Sequence, residues 1–308
     1  MMKKLACSVV ICTRNRSMEV FSLLERLRRQ TRLPEQVVVV DGSDSPIGES
    51  PPAVEEVSAW LSQGTTLVIV HTEPGLTRQK NVGARLATAD IVLFLDDDGT
   101  PDAETIERLM TVFENHPEFD GGMGTVEPAI NRPLLNLFRR FFQLTHNFGS
   151  GRFLPSGLAS FLHGRDRFAS TEVLSGGFMA LRKSILERHA FDEKLVGYSY
   201  MEDLDFSWRI SREARLFFEP AAILHHPFKA PRGKVAGDRA RMFVRHHGYL
   251  FFKNIFPGYP FRLAAFAWSI LGYFILHSLR GDGHAIKGAF LGLVDVFRRW
   301  WRIEPSYQ

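Results

Sequence analysis

Four short runs of apolar residues, "ACSVVIC", "EQVVVVDGSD", "TLVIVHTE" and "DIVLFLDDD", fall within the first hundred positions and constrain this chain more than any other feature. Each is apolar throughout rather than at alternate positions, which marks strands covered on both faces. Between them, "MEVFSLLERLRRQ" sets Val20, Leu23, Leu24 and Leu27 at helical spacing, and "TRQKNVGARLATA" reads as a second helix. Strands alternating with helices specify a mostly parallel sheet flanked by helices, a Rossmann-like α/β fold. Such sheets bind ligands at the carboxyl ends of their strands.

Those ends carry the candidate binding groups. "TRNR" (Thr13, Arg14, Asn15, Arg16) follows the first run, Asp41 ends the second, and Asp96, Asp97 and Asp98 end the fourth. Three adjacent carboxylates repel one another unless a cation or hydrogen-bond donors stand nearby. In an extended segment Asp96 and Asp98 leave on one side and Asp97 on the other, so the first two can share a ligand. Hard oxygen donors select Mg²⁺ or Mn²⁺, and one or two carboxylates completed by substrate phosphates is the usual way a protein holds Mg²⁺. Asp41 offers an acceptor for a nucleobase or a ribose hydroxyl. Arg14, Arg16, Arg78 and Lys80 put cations near the same edge, as a diphosphate requires.

Further on, residues 105–114 read as a helix and "GGMGTVEP" as a glycine-rich strand entry. The stretch from Leu134 to Thr171 is aromatic and basic without clear periodicity, and is expected to be an irregular excursion that selects the acceptor. "VLSGGFMALRKSILERH" restores strand and helix. "YMEDLDFSWR" then sets Glu202, Asp203 and Asp205 at a helix start, where the dipole favours acids, with Asp205 and Arg209 spaced to pair. "AAILHH" ends a strand on His225 and His226, of which alternation lets only one face a site, where it would complete the metal shell or contact phosphate.

Charge is unevenly spread: from His225 onward 13 Lys/Arg stand against 4 Asp/Glu, leaving −5 for the residues before it. A basic tract (Lys229, Lys234, Arg232, Arg239, Arg241) reads as a loop able to close over a diphosphate. Phe261 to Leu279 is nearly apolar, at the lower edge of bilayer-spanning length. The next segment puts Ile286, Ala289, Phe290, Leu293, Val294, Phe297 and Trp301 on one face. Aromatic and basic residues together suit a peripheral contact with an anionic membrane face; the alternatives are a helical pair that closes the core or forms a dimer, and a full transmembrane span for Phe261 to Leu279, and nothing points to nucleic acid. Cys7 and Cys12, five positions apart in one strand, have Cα atoms roughly 16 Å apart, beyond disulfide reach. Reduced thiols and the absence of a convincing cleavage site after "MMKKLACSVVIC" imply a cytoplasmic protein, working at the inner face of the cell membrane.

Taken in order, "VVICTRNR", "QVVVVDGSD", "GLTRQKNVGARLATADIVLFLDDD", "LSGGFMALRKSIL", "FDEKLVGYSYMEDLDFSWRI" and "AAILHH" resemble the family-2 glycosyltransferases of GT-A fold, above all bacterial members that build surface polysaccharides. The resemblance implies a metal-dependent, inverting transfer from a nucleotide-diphosphate sugar to a hydroxyl of a saccharide or lipid-linked saccharide. It implies that Thr13, Asp41 and Arg78 contact the nucleoside, and that Asp96 and Asp98 bind the metal with Asp98 as direct ligand. Asp203 would be the general base, and His226 would occupy the family's histidine position. Arg14, Asn15, Lys80 and Asp97 complete the donor-binding candidates. The chain departs from the pattern at Cys12 and Arg14, where Pro and an aromatic are usual, and at "HAFDE", where Gly-Gly-Phe-Asp-Glu is common. The implied organisation is a GT-A domain over 1–255, with a nucleotide-binding half to residue 100 and an acceptor and catalytic half beyond it, followed by C-terminal helices over 256–308. Two rival readings remain: a sugar nucleotidyltransferase, for which "YMEDLD" has no task, and a non-catalytic membrane-associated protein of the same fold, for which the full set of carboxylates has none.

Overall fold

A computed structural model describes residues 4–47, 60, 64–128, 130–164, 167–196, 198–226 and 233–298. The apolar runs form strands β1 (Cys7–Thr13), β2 (Gln36–Asp41), β3 (Thr66–His71) and β4 (Ile91–Asp96), with helices α1 (Ser17–Leu27) and α2 (Leu76–Leu86) between them. β5 (Thr100–Pro101), α3 (Thr105–Asn115) and β6 (Gly121–Glu127) follow. After an excursion come β9 (Ala169–Thr171), β10 (Phe178–Arg182), α5 (Lys183–Arg188), α6 (Glu202–Ile210) and β11 (Leu216–His225). The sheet order is β3-β2-β1-β4-β10-β6-β11-β5, with β9 also on β11. β1 to β4 are mutually parallel where they pair, and β10 runs antiparallel between β4 and β6.

Strand parity builds a three-layer sandwich. Val9, Ile11, Val37, Val39, Leu93 and Leu95 pack with α1 and α3 on one face. Val10, Val38, Val40, Val92 and Phe94 pack with Ala84, Ile185, Phe206 and Ile210 on the other. β3 departs from the expected full coverage. As the edge strand it leaves Thr66 and His71 exposed and buries only Leu67, because it has a neighbour on one side alone.

Compactness divides the chain into two units, Met1–Ala129 with Leu162–Pro227, and Ile130–Phe161 with Phe228–Gln308. Residues 228–255, joined to the catalytic domain in the sequence reading, thus fall with the C-terminal helices. Among its described residues the second unit contains α4 (Pro133–Phe141), the short pair β7 (Arg152–Phe153) and β8 (Ala159–Ser160), and the long helices α7 (Gly233–Leu250), α8 (Leu263–Leu279) and α9 (Gly283–Phe297). Helix α4 and the β pair lie inside the stretch expected to be irregular. The helical stripe of α4 was masked in the sequence by the aromatic residues and arginines crowded around it. Helices α7 and α9 approach so closely that a Cβ on Gly288 would lie 2.0 Å from the Gly237 carbonyl oxygen. The Gly288/Gly292 spacing is therefore a packing device in this protein. Among the described residues one helical stretch, Pro260–Leu279, is long and apolar enough to cross a membrane.

Candidate active site

Parallel pairing aligns the carboxyl ends of three strands: Thr13 lies opposite Asp41 and Cys12 opposite Asp96. Asp96 has the parity of Val92 and Phe94, so its carboxylate leaves toward the face that carries α6. The backbone turns after it, and Asp97 and Asp98 diverge. Antiparallel pairing of β11 with β5 then returns the chain, so that His226 Nε2 stands 3.0 Å from Asp98 Oδ1 and 3.4 Å from Asp96 Oδ2. One ligand atom from each of Asp96, Asp98 and His226 lies within 4.8 Å of the others. Two carboxylate oxygens and one imidazole nitrogen make a donor set that fits Mg²⁺ or Mn²⁺. His225 faces elsewhere and pairs with Asp102 at 2.9 Å.

Arg16 resolves the repulsion within the triplet. Its guanidinium reaches Asp97 Oδ1 at 2.7 Å and Asp98 Oδ2 at 2.6 Å. Burial pushes Asp97 up to about 6, against hydrogen bonds from Thr13 and the charge of Arg16. Partial burial acts in the same sense on Asp98, but bonds from His226 and Arg16 prevail and hold it well below the usual carboxylate range. The two carboxylates raise His226 to about 10.

Several expected donor contacts are engaged within the protein. Thr13 Oγ1 donates to Asp97 Oδ2 at 2.7 Å, so Asp97 and Thr13 face each other. Asp41 is fully buried and accepts the backbone N–H groups of Ser43 at 2.9 Å and Ile47 at 2.7 Å, which shapes the loop after β2. Arg14 pairs with Asp44 at 3.3 Å, and Asn15 Nδ2 donates to the same carboxylate at 2.8 Å. Arg78 is held between Glu73 and Glu193. Lys80 is the clearest departure: it is buried, and its Nζ donates to Glu202 Oε1 at 2.5 Å and to the Gly176 carbonyl at 2.8 Å. On the buried side of α2, Lys80 directs its charge to Glu202 while still feeling the carboxylate of Asp96 at the sheet edge. Lys229 and Arg232 lie outside the described residues. Lys234, Arg239 and Arg241 stand on α7 rather than in a loop, and Arg241 pairs with Asp295 at 2.8 Å.

The second acidic run caps α6. Ser199 and Met201, in the turn before it, have φ of 49° and 71°, each costing roughly 1–2 kcal/mol in left-handed backbone. The Lys80–Glu202 pair anchors that turn. Asp203, half-buried, accepts from Gly176 N at 3.1 Å and Leu204 N at 2.9 Å. Desolvation, then the charge of Glu202, hold its carboxyl above the usual range against Lys80 and these two N–H groups. Asp205 is buried on Arg209 at 3.0 Å, as its spacing predicts.

Gly176 and Gly177 join the two acidic runs. A Cβ on Gly177 would lie 2.2 Å from Asp96 Oδ2, and one on Gly176 would lie 2.3 Å from Glu202 Oε1. Gly177 also accepts the Asp96 N–H at 3.2 Å. Neither glycine was singled out from sequence. The adjacent pair entering a buried strand, where glycine is unfavourable, was the available signal.

This mixed sheet, with carboxylates gathered at its carboxyl edge, is a GT-A fold. Residues 8–190 match the family described as Glycosyl transferase family 2, and the chain belongs to that family. A glucosyl-dolichyl phosphate glucuronosyltransferase of Haloferax volcanii is 33% identical over 127 residues, 39% of this chain and 38% of that protein. The chain spans about a third to a half of the length of the curated relatives it matches. The structure is similar to residues 1–349 of S. aureus TarS, with a TM-score of 0.59 at 16% identity over 96% of this chain and 82% of that one. It is also similar to the Pyrobaculum calidifontis mannosyltransferase PcManGT in complex with GDP-Man and Mn²⁺, with a TM-score of 0.56 at 19% identity over 98% and 84%. At these identities the likeness is one of fold.

Proposed function

We propose that this chain transfers a sugar, with inversion, from a nucleotide-diphosphate sugar to a hydroxyl of a saccharide or lipid-linked saccharide. The observation that carries the reading is the pairing, through Gly176 and Gly177, of a cation-binding group (Asp96, Asp98, His226) with a carboxylate of raised proton affinity, Asp203. Asp98, with Asp96 and His226, would hold Mg²⁺ or Mn²⁺. When bound, the cation supplies charge compensation for the departing diphosphate. Asp203 takes the proton of the acceptor hydroxyl, its raised affinity suiting a base that works near neutral pH. The Lys80–Glu202 pair and Gly176 keep that carboxylate in place while the hydroxyl attacks the anomeric carbon opposite the leaving group. The names of the relatives support nucleotide sugars as donors, since PcManGT was solved with GDP-Man and TarS with UDP-GlcNAc. A role in surface polysaccharide or glycolipid synthesis at the cytoplasmic face of the membrane is part of this proposal, supported by the free cysteines and the basic, apolar second unit.

The test is a product assay with a panel of nucleotide sugars and Mn²⁺. Release of a nucleoside diphosphate with inverted anomeric configuration is the expected result; release of pyrophosphate, or retention, would overturn the reading. Asp98→Asn is expected to lose the Mn²⁺-dependent thermal stabilisation that the donor gives the wild type.

A further inference from the structure

The second unit is chemically unlike the first. It carries 17 Lys/Arg against 4 Asp/Glu, a net +13, while the first carries 21 against 30, a net −9. Residues 130–161 contain Arg132, Arg139, Arg140 and Arg152 and no acidic residue. Within them, α4 aligns Leu134, Leu137, Phe138 and Phe141 on one stripe, yet no residue of that helix is buried. Leu134 and Leu137 are 84% and 65% exposed.

The neighbouring helices repeat the pattern. α8 buries Phe266, Ser269, Ile270, Gly272 and Leu276 and exposes Leu263, Ala264, Ala267, Trp268 and Leu271. Helical spacing gathers the exposed set into one arc. At one edge of that arc Trp268 stacks on Phe142 at 4.8 Å and donates to the Phe141 carbonyl at 2.8 Å, joining α8 to the end of α4. At the other edge Leu263 and Ala267 open on an apolar cleft of about 750 Å³, walled in part by Phe252, Phe256 and Phe297 beside Lys253. In α9 the small residues Ala285, Gly288, Ala289 and Gly292 go inward, while Phe290 and Phe297 stay 60% and 78% exposed. Of the apolar face read from the sequence of this helix, Phe290 and Phe297 are turned outward, Ile286, Leu293 and Val294 are half-buried and Ala289 is buried, while Trp301 lies outside the described residues. The small residues of α9 win the buried side because only they permit the close approach of α7.

We propose that this face docks on the surface of an anionic bilayer. The stripe of α4 enters the acyl boundary with Arg132, Arg139 and Arg140 at the headgroups, and the α8 arc and its cleft receive lipid chains. Charge complementarity selects this occupant, since a face of net positive charge repels a second copy of itself while attracting anionic headgroups. Aromatic and apolar side chains flanked by arginines are the composition of helices that lie in the interface. Helix α8 lies along the surface rather than across it, because the helices behind it are charged, with Arg241 on α7 paired to Asp295 on α9. The inference deepens the membrane part of the proposed function, on which it rests, by naming the surface and the lipid charge, and it does not depend on the sugar-transfer chemistry.

The test is co-sedimentation of the intact chain with phosphatidylcholine vesicles, with and without phosphatidylglycerol. Binding is expected only with the anionic lipid and should fall as salt rises. Arg139→Glu with Arg140→Glu should weaken it on the order of tenfold or more. Leu134→Asp with Leu137→Asp should abolish it while circular dichroism and melting stay those of the wild type. Brominated chains should quench tryptophan emission in the wild type and less in Trp268→Phe. Equal binding to neutral vesicles, or binding unchanged in both double variants, would overturn the proposal. So would a lipid-free dimer that Leu134→Asp/Leu137→Asp converts to monomers, since the occupant would then be a second copy.

Discussion

The chain carries two acidic runs of similar composition, Asp96-Asp97-Asp98 and Glu202-Asp203-Leu204-Asp205, and the fold treats them in opposite ways. The first ends a strand, and the cations that quiet it, Arg16 and His226, reach it from outside the strand. Asp98 is thereby held ionised far below the usual carboxylate range, the state suited to holding a cation. The second run opens a helix, and its cations, Lys80 and Arg209, engage Glu202 and Asp205, while Asp203 accepts the backbone N–H groups of Gly176 and Leu204. Desolvation, then the charge of Glu202, prevail over these N–H groups and Lys80 and leave Asp203 with a raised proton affinity. Clustered carboxylates do not carry one role; the partner of each decides it.

The largest effect that would test this contrast is on turnover. Asp203→Asn is expected to lower transfer by on the order of 10²–10⁴-fold with donor binding intact, as measured by steady-state rates beside donor titration. Near-normal turnover would mean that the two runs do not differ in function. Next comes the buried pair. Lys80 and Glu202 side chains are 3% and 8% exposed, and removing one partner leaves an uncompensated buried charge. Lys80→Met should cost about 3–5 kcal/mol in denaturant unfolding, and adding Glu202→Gln should restore part of it. If Lys80→Met were as stable as the wild type, the pair would not be the anchor of the α6 turn.

Smaller effects sharpen the link between the runs. Gly177→Ala would push on Asp96 through a contact of 2.2 Å, and a misplacement of that kind is expected to cost up to about 10²-fold in transfer with little change in melting temperature. The smallest effect is on the pH dependence of stability. Asp203 has a folded pKa above its unfolded value, so its contribution is complete below the ordinary carboxylate range and is lost as pH rises through the raised value. Asp203→Asn should therefore gain on the wild type in melting temperature between about pH 4 and pH 8. A difference independent of pH would mean that the Asp203 carboxyl is not held above its ordinary range.

Much of this was legible in the chain. Four continuous apolar runs separated by helical stretches dictate a covered parallel sheet, because strand and helix periods are local properties of sequence. The strand-end position of Asp96 to Asp98 and the helix-start position of Asp203 follow from the same local rules. Local signals could not give the engagement of Lys80 inside the core, the role of Arg16 as bridge of the triplet, or the seating of the two runs against Gly176 and Gly177. The contacts of Lys80 with Glu202 and of Arg16 with Asp98 span 122 and 82 residues, and a charged residue looks the same in sequence whether its partner is solvent or a buried carboxylate.

What the sequence by itself determined is the sheet, its edge and the acids placed there, since apolar periodicity and chain direction suffice for that. Only the tertiary structure decided which acids converge with His226 as a candidate cation site and which acid has its proton affinity raised. It alone also turned Leu134, Leu137 and Phe141 of α4 and Phe290 and Phe297 of α9 outward. Burial, partner distance and close helix approach are properties of segments far apart in the chain, brought together only when the whole chain packs.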